Sequence, residues 1–143
     1  MNSPTERVKA LLHDLHQDVQ HYQRLVILLG QQREAMLACH AVRSNEIGQA
    51  LMSVYPRLQA SARRRSDTLA GFRLSQDGRG LLALFSRLPA AIRQRATAGW
   101  HQLEQQALLC QQMNQRNGLL LNSQREMLGT LLQNDPQDFL YSR

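Results

Sequence analysis

The chain has 143 residues, two cysteines and a net charge of +6, from 17 basic and 11 acidic side chains. That length fits one domain with a modest core. No apolar run approaches the roughly 20 residues of a membrane span, which speaks against membrane insertion. The start, Met1-Asn2-Ser3-Pro4-Thr5-Glu6, lacks the basic and apolar regions of a secretion signal. A reducing cytoplasm is therefore expected, with Cys39 and Cys110 as free thiols packed like small apolar groups. Alanine, leucine, glutamine and arginine dominate, and β-branched and aromatic residues are scarce. Such a chain forms helices and has little with which to build a sheet.

Ser3-Pro4-Thr5-Glu6 has the pattern of a helix start: a capping serine, proline at the first helical position and Glu6 closing a capping box. Val8, Leu12, Leu15, Val19, Tyr22, Val26, Leu29 and Met36 then recur in steps of four and three, broken at Arg33. This seam predicts a long helix running to about Val42 and packed against other long helices. Arg43-Ser44-Asn45-Glu46 is expected to turn the chain, with Ser44 or Asn45 as cap. A second stripe follows at Ile47, Leu51, Val54, Leu58, Ala62, Leu69 and Phe72, with a kink expected at Pro56. Ser75 to Gly80 reads as a loop, and Leu81 to Leu88 as a short helix before Pro89. A third long helix carries Ile92, Ala96, Trp100, Leu103, Ala107, Cys110, Met113, Leu120, Leu121, Leu128 and Leu131.

Three long amphipathic helices joined by short connections predict an all-α fold. The expected architecture is an antiparallel three-helix bundle, up-down-up, over residues 1–133. Asn134-Asp135-Pro136 ends the apolar pattern, and residues 134–143 are expected to form a flexible tail carrying Phe139-Leu140-Tyr141.

Catalytic or metal chemistry finds little support. His13, His16 and His21 lie near Asp14 and Asp18 without zinc-type spacing, and Gly78-Arg79-Gly80 lacks the spacing of a phosphate loop. No metal, cofactor or enzymatic activity is expected. Arg63-Arg64-Arg65 is the best nucleic-acid candidate, yet consecutive helical residues point about 100° apart and no aromatics interleave them. A solvated helix surface pairing with Asp67 and neighbouring acids is the expected reading, with no specific nucleic-acid binding.

Leu119-Leu120-Leu121 makes the third helix's stripe wider than one packed seam requires. Either all three leucines pack inside the bundle, or one edge is exposed for a partner helix. In the second case Gly118 would admit a close backbone approach and Asn117 would offer a register-fixing hydrogen bond.

A wider pattern accompanies these residues. It comprises the N-terminal heptad helix, the arginine cluster before Gly71, Trp100, Asn-Gln-Arg-Asn-Gly-Leu-Leu-Leu at 114–121, and Leu140-Tyr141 in the tail. In this pattern the chain resembles the FlgN family of flagellar export chaperones. The resemblance implies a cytoplasmic chaperone for the first and third hook-associated (junction) proteins, of FlgK and FlgL type. It would keep them unpolymerised and bring them to the type III export gate. The implied substrate-binding residues are Asn117, Gly118, Leu120, Leu121, Met127, Leu128 and Leu131. Phe139 and Tyr141 would dock on the cytoplasmic domain of the gate protein FlhA. A structural coiled-coil adaptor and a basic helical nucleic-acid binder are the alternatives.

Overall fold

The computed structural model describes residues 3–133, with side chains described through residue 130. Four helices follow one another: α1 (Pro4–Leu37), α2 (Ala41–Gly71), α3 (Gly78–Phe85) and α4 (Ala90–Gln133). No strand occurs among the described residues. The all-α architecture expected from the sequence is the one observed, three long helices with one short helix between the second and third.

The start of α1 is built as its sequence dictates. Ser3 Oγ accepts from the Glu6 amide at 3.2 Å, and the Ser3 amide donates to Glu6 Oε2 at 3.3 Å. This reciprocal box satisfies two otherwise orphaned donors. The end of α1 departs from expectation, stopping at Leu37 rather than near Val42. Cys39 takes a left-handed conformation (φ 53°), its amide donates to the Met36 carbonyl, and the His40 amide donates to that of Ala35. That is a Schellman ending with cysteine where glycine is usual, so the familiar stop signal was missing from the sequence. The cap of α2 is accordingly His40, whose Nδ1 accepts from the Arg43 amide at 3.1 Å. Arg43 to Glu46 lie inside α2. Cys39 is exposed and only Cys110 is packed.

α2 passes through Pro56 as one helix. It ends in a second Schellman turn with Arg73 (φ 58°) in the left-handed position and Leu74 folded back over Leu69. The expected loop shrinks, because Gly78-Arg79-Gly80 forms the first turn of α3. Asp77 caps that helix by accepting from the Gly80 amide at 3.1 Å and from the Ser75 hydroxyl. These bonds hold its carboxyl below the usual range, the serine bond first. A Cβ at Gly80 would sit 1.7 Å from the Ser75 carbonyl oxygen, so only glycine fits this approach.

Three contacts set the relation of α1 to α4. Cys110 Sγ lies 3.8 Å from the Tyr22 carbonyl oxygen, Asn117 Nδ2 donates to that of Leu29 at 2.9 Å, and Gln124 Nε2 to that of Met36 at 2.7 Å. Each pair is 88 residues apart, and each step along both helices is one heptad. α1 and α4 are therefore parallel, in fixed register. α2 runs antiparallel to α1, as the pairs Asp14 with Arg64 and Asp18 with Ser61 require.

α1 packs against both neighbours, whereas α2 and α4 keep their Cα atoms more than 8 Å apart. Being sandwiched, α1 buries Leu11, Asp18, Leu25 and Leu28 as well as members of its predicted seam. The open flank between α2 and α4 leaves a groove of about 420 Å³ over Tyr22, Leu25, Tyr55 and Cys110. Burial pushes both phenols and the Cys110 thiol up, which favours their neutral forms.

The core has two parts. One joins Leu25, Leu29, Ile47, Leu51, Val54 and Cys110; the other joins Leu11, Leu15, Leu69, Leu81, Phe85 and Leu103, with α3 as its lid. A polar layer lies between them. Asp18, 3% exposed, accepts from Ser61 Oγ at 2.7 Å and Arg65 Nη1 at 3.3 Å, and the Arg65 guanidinium rests 5.4 Å from the Trp100 ring centre. Arg64 grips Asp14 through two bonds of 2.8 and 3.1 Å. Two of the three consecutive arginines are thus committed to carboxylates on α1, not to Asp67. Burial raises the Asp18 carboxyl above its ordinary value, and Ser61 and Arg65 pull it partly back.

Candidate functional site

The register between α1 and α4 determines what the end of α4 can do. The offset that seats Asn117 at Leu29 sets Leu37, the last residue of α1, beside Arg125. The final two turns of α4 therefore have no α1 to cover them, although the apolar pattern continues on the same face. Exposure follows this geometry. Along the stripe, Leu103 is 4% exposed and Cys110 7%, whereas Leu128, beyond the end of α1, reaches 58%.

The end of α4 forms one wall of a groove of about 650 Å³, with Leu121 and Gln124 beside the last turns of α1 and Met127 and Leu128 beyond its end. The opposite wall comes from the end of α1 and the start of α2, with Ala35, Met36, Cys39, His40, Asn45 and Gly48. Exposed Leu37 and Val42 add apolar surface near the same turn. Apart from Gln and Asn amides, the Ser44 hydroxyl and one imidazole, the lining is apolar or sulfur-bearing, with two methionines. Such a surface suits an amphipathic helix, since methionine re-packs readily around a partner.

The proposed binding residues fall into distinct positions. Leu121, Met127 and Leu128 line the groove together, and Leu120 is half-buried beside them. Gly118 is exposed, and a Cβ built there would meet nothing within 4 Å. Asn117 departs from the role expected of it. It is 4% exposed and donates to Leu29 and, at 3.2 Å, to Gln32 Oε1. Its register-fixing bond is made within the chain, to α1, because α1 and not a partner occupies that side of α4. Leu131 lies on the helical backbone of α4, outside the described side chains, and Phe139 and Tyr141 lie outside the described residues. Leu119, 68% exposed, is not part of the groove lining.

Sequence reasoning missed the α1–α2 wall altogether. Met36, Cys39 and His40 carry no local mark of a site; Met36 meets α4 through the inter-helix register, and Cys39 and His40 join it because α1 stops at Leu37. Gln124 was missed for a similar reason: its amide covers the terminal Met36 carbonyl, a contact that depends on the inter-helix register.

No group of three or more His, Cys, Asp or Glu side chains suited to a metal occurs among the described residues. No described helix is long and apolar enough to cross a membrane. What these elements define is an open up-down-up bundle whose distinctive surface is an apolar, helix-sized groove at one end. The FlgN protein family model matches residues 1–134, and the chain belongs to that family. A solved structure of a Pseudomonas aeruginosa protein bearing the name flagella synthesis protein FlgN is similar, with a TM-score of 0.73. It is 24% identical, over 85% of this chain and 90% of that one, a likeness that shows the fold. No curated protein is significantly similar to the chain.

Proposed function

We propose that this protein is a cytoplasmic flagellar export chaperone for the first and third hook-associated proteins. In this reading the groove ending α4 covers the amphipathic terminal helices through which those proteins polymerise, and so holds them as single chains. The observation that carries the reading is the loss of cover along α4, from 4% exposure at Leu103 to 58% at Leu128. A stripe of helix-packing residues without its helix is a surface for another chain. Family membership supplies the flagellar context.

Delivery to the export gate falls to the tail, where Phe139 and Tyr141 are large aromatic side chains able to anchor a contact once enclosed. The test is copurification with each hook-associated protein and, separately, with the cytoplasmic domain of FlhA. The unaltered chain should retain both kinds of partner, and Tyr141→Ala should weaken the gate contact alone, by about 1–2 kcal/mol. Failure to retain either hook-associated protein would refute the chaperone reading. Equal losses in both contacts on Tyr141→Ala would refute the division of labour.

A further inference from the structure

The end of the bundle opposite the groove gathers five arginines within 24 residues. Residues 72–95, which close the bundle between α2 and α4, hold Arg73, Arg79, Arg87, Arg93 and Arg95 against one carboxylate, Asp77. Asp77 already caps α3 through Ser75 and Gly80. All five arginines are exposed, and none has a carboxylate within 4.0 Å among the described residues. They differ in this from Arg64 and Arg65, which are bonded to Asp14 and Asp18. Two apolar side chains stand exposed among them, Leu82 on α3 (37%) and Ile92 at the start of α4 (40%).

We propose that this end docks on the anionic headgroups of a phospholipid membrane, without inserting a helix. The five charges come from a loop, a short helix, a turn and the start of α4, and the groove formed by α1, α2 and the end of α4 lies at the other end of the molecule. Such a dispersed set does not trace a phosphate backbone, and its aromatics, Phe72 and Phe85, are half-buried and buried and unavailable for base stacking. It suits a surface that is itself diffusely negative. α3 sharpens the match. Its buried face holds Leu81, Leu84 and Phe85, while Arg79, Leu82 and Ser86 are exposed in steps of three and four. An exposed leucine with arginine one turn away is a combination that seats a short helix at a headgroup boundary. Docked this way, the protein directs the groove away from the bilayer, with the roughly 66 Å of α4 between the two ends.

Vesicle flotation of the full-length protein tests this. Vesicles containing about one third phosphatidylglycerol should carry the protein up at least tenfold better than phosphatidylcholine alone, and about 0.5 M salt should abolish the difference. The combined variant Arg79→Gln, Arg87→Gln, Arg93→Gln should lose about tenfold in partitioning. The combined variant Arg33→Gln, Arg116→Gln, Arg125→Gln removes the same charge from the groove end and should lose little. If the first variant proves unfolded by circular dichroism, Arg79→Gln and Arg93→Gln singly should each lose a smaller share. Equal losses in the two combined variants would mean attraction by net charge alone and would overturn the proposal. So would equal partitioning to neutral and anionic vesicles, or binding to polyglutamate or DNA with none to vesicles.

Discussion

The two halves of α4 carry the same kind of stripe and meet different fates. Leu103 and Leu128 lie on nearly the same face of one helix, yet Leu103 is sealed by α1, α2 and α3, while Leu128 opens into a groove. Nothing in α4 itself distinguishes them. The difference is made far upstream, where Cys39 adopts a left-handed conformation and ends α1 at Leu37. A helix that outlives its partner leaves core-forming residues uncovered, so the position of one chain reversal decides which leucines stabilise the fold and which stay exposed.

The largest expected effect contrasts these two leucines directly. Leu103→Ala should cost about 2–5 kcal/mol by leaving a cavity in a closed core. Leu128→Ala should stay within about 0.5 kcal/mol in the same denaturant titration. Comparable costs would mean that the end of α4 is packed after all.

Between the two halves stands Asn117, whose amide ties α4 to α1. Asn117→Ala should cost about 1–3 kcal/mol, because it removes two hydrogen bonds and some packing from a buried position. A protein equally stable without it would show that the register is held by the leucines alone.

The polar layer makes a smaller, pH-dependent contribution. Asp18 has a raised carboxyl value when folded, so the folded state takes up its proton more readily than the unfolded chain. Its contribution to stability is therefore full below the ordinary value of 3.8 and is lost as pH rises through the raised folded value. The stability difference between the unaltered chain and Asp18→Asn should fall across that window and then level off. A difference that grows with pH instead would mean that Ser61 and Arg65 outweigh burial.

The smallest effect is expected at Gly118, in open space on an exposed side of α4. Gly118→Ala should raise stability by about 1 kcal/mol through helix propensity alone. If the same variant also weakens binding to a hook-associated protein, the partner backbone approaches at that glycine. Unchanged binding would confine the contact to the groove.

Much of this fold was legible in the sequence, because helical period and capping are local. Ser3 to Glu6 announced the start of α1, and the heptad steps announced three long helices. The chain reversals were harder to read, since Cys39 and Arg73 occupy left-handed positions where glycine would have marked the stop. The site was half legible. Leu119, Leu120 and Leu121 stood out as excess apolar width, and of these only Leu121 lines the groove, whose α1–α2 wall depends on inter-helix register. For the same reason Asn117 looked available to a partner when its amide was already spent on Leu29.

The central claim is that the uncovered end of α4 binds the hook-associated proteins without being needed for folding. Isothermal titration of the combined variant Met127→Asp, Leu128→Asp against the first and third hook-associated proteins, paired with its denaturant midpoint, tests this most directly. Each aspartate would have to be buried in the interface without a counter-ion, so affinity should fall by about 2 kcal/mol or more, roughly 30-fold, with the midpoint unchanged. Undiminished affinity, or collapse of the fold, would contradict the account.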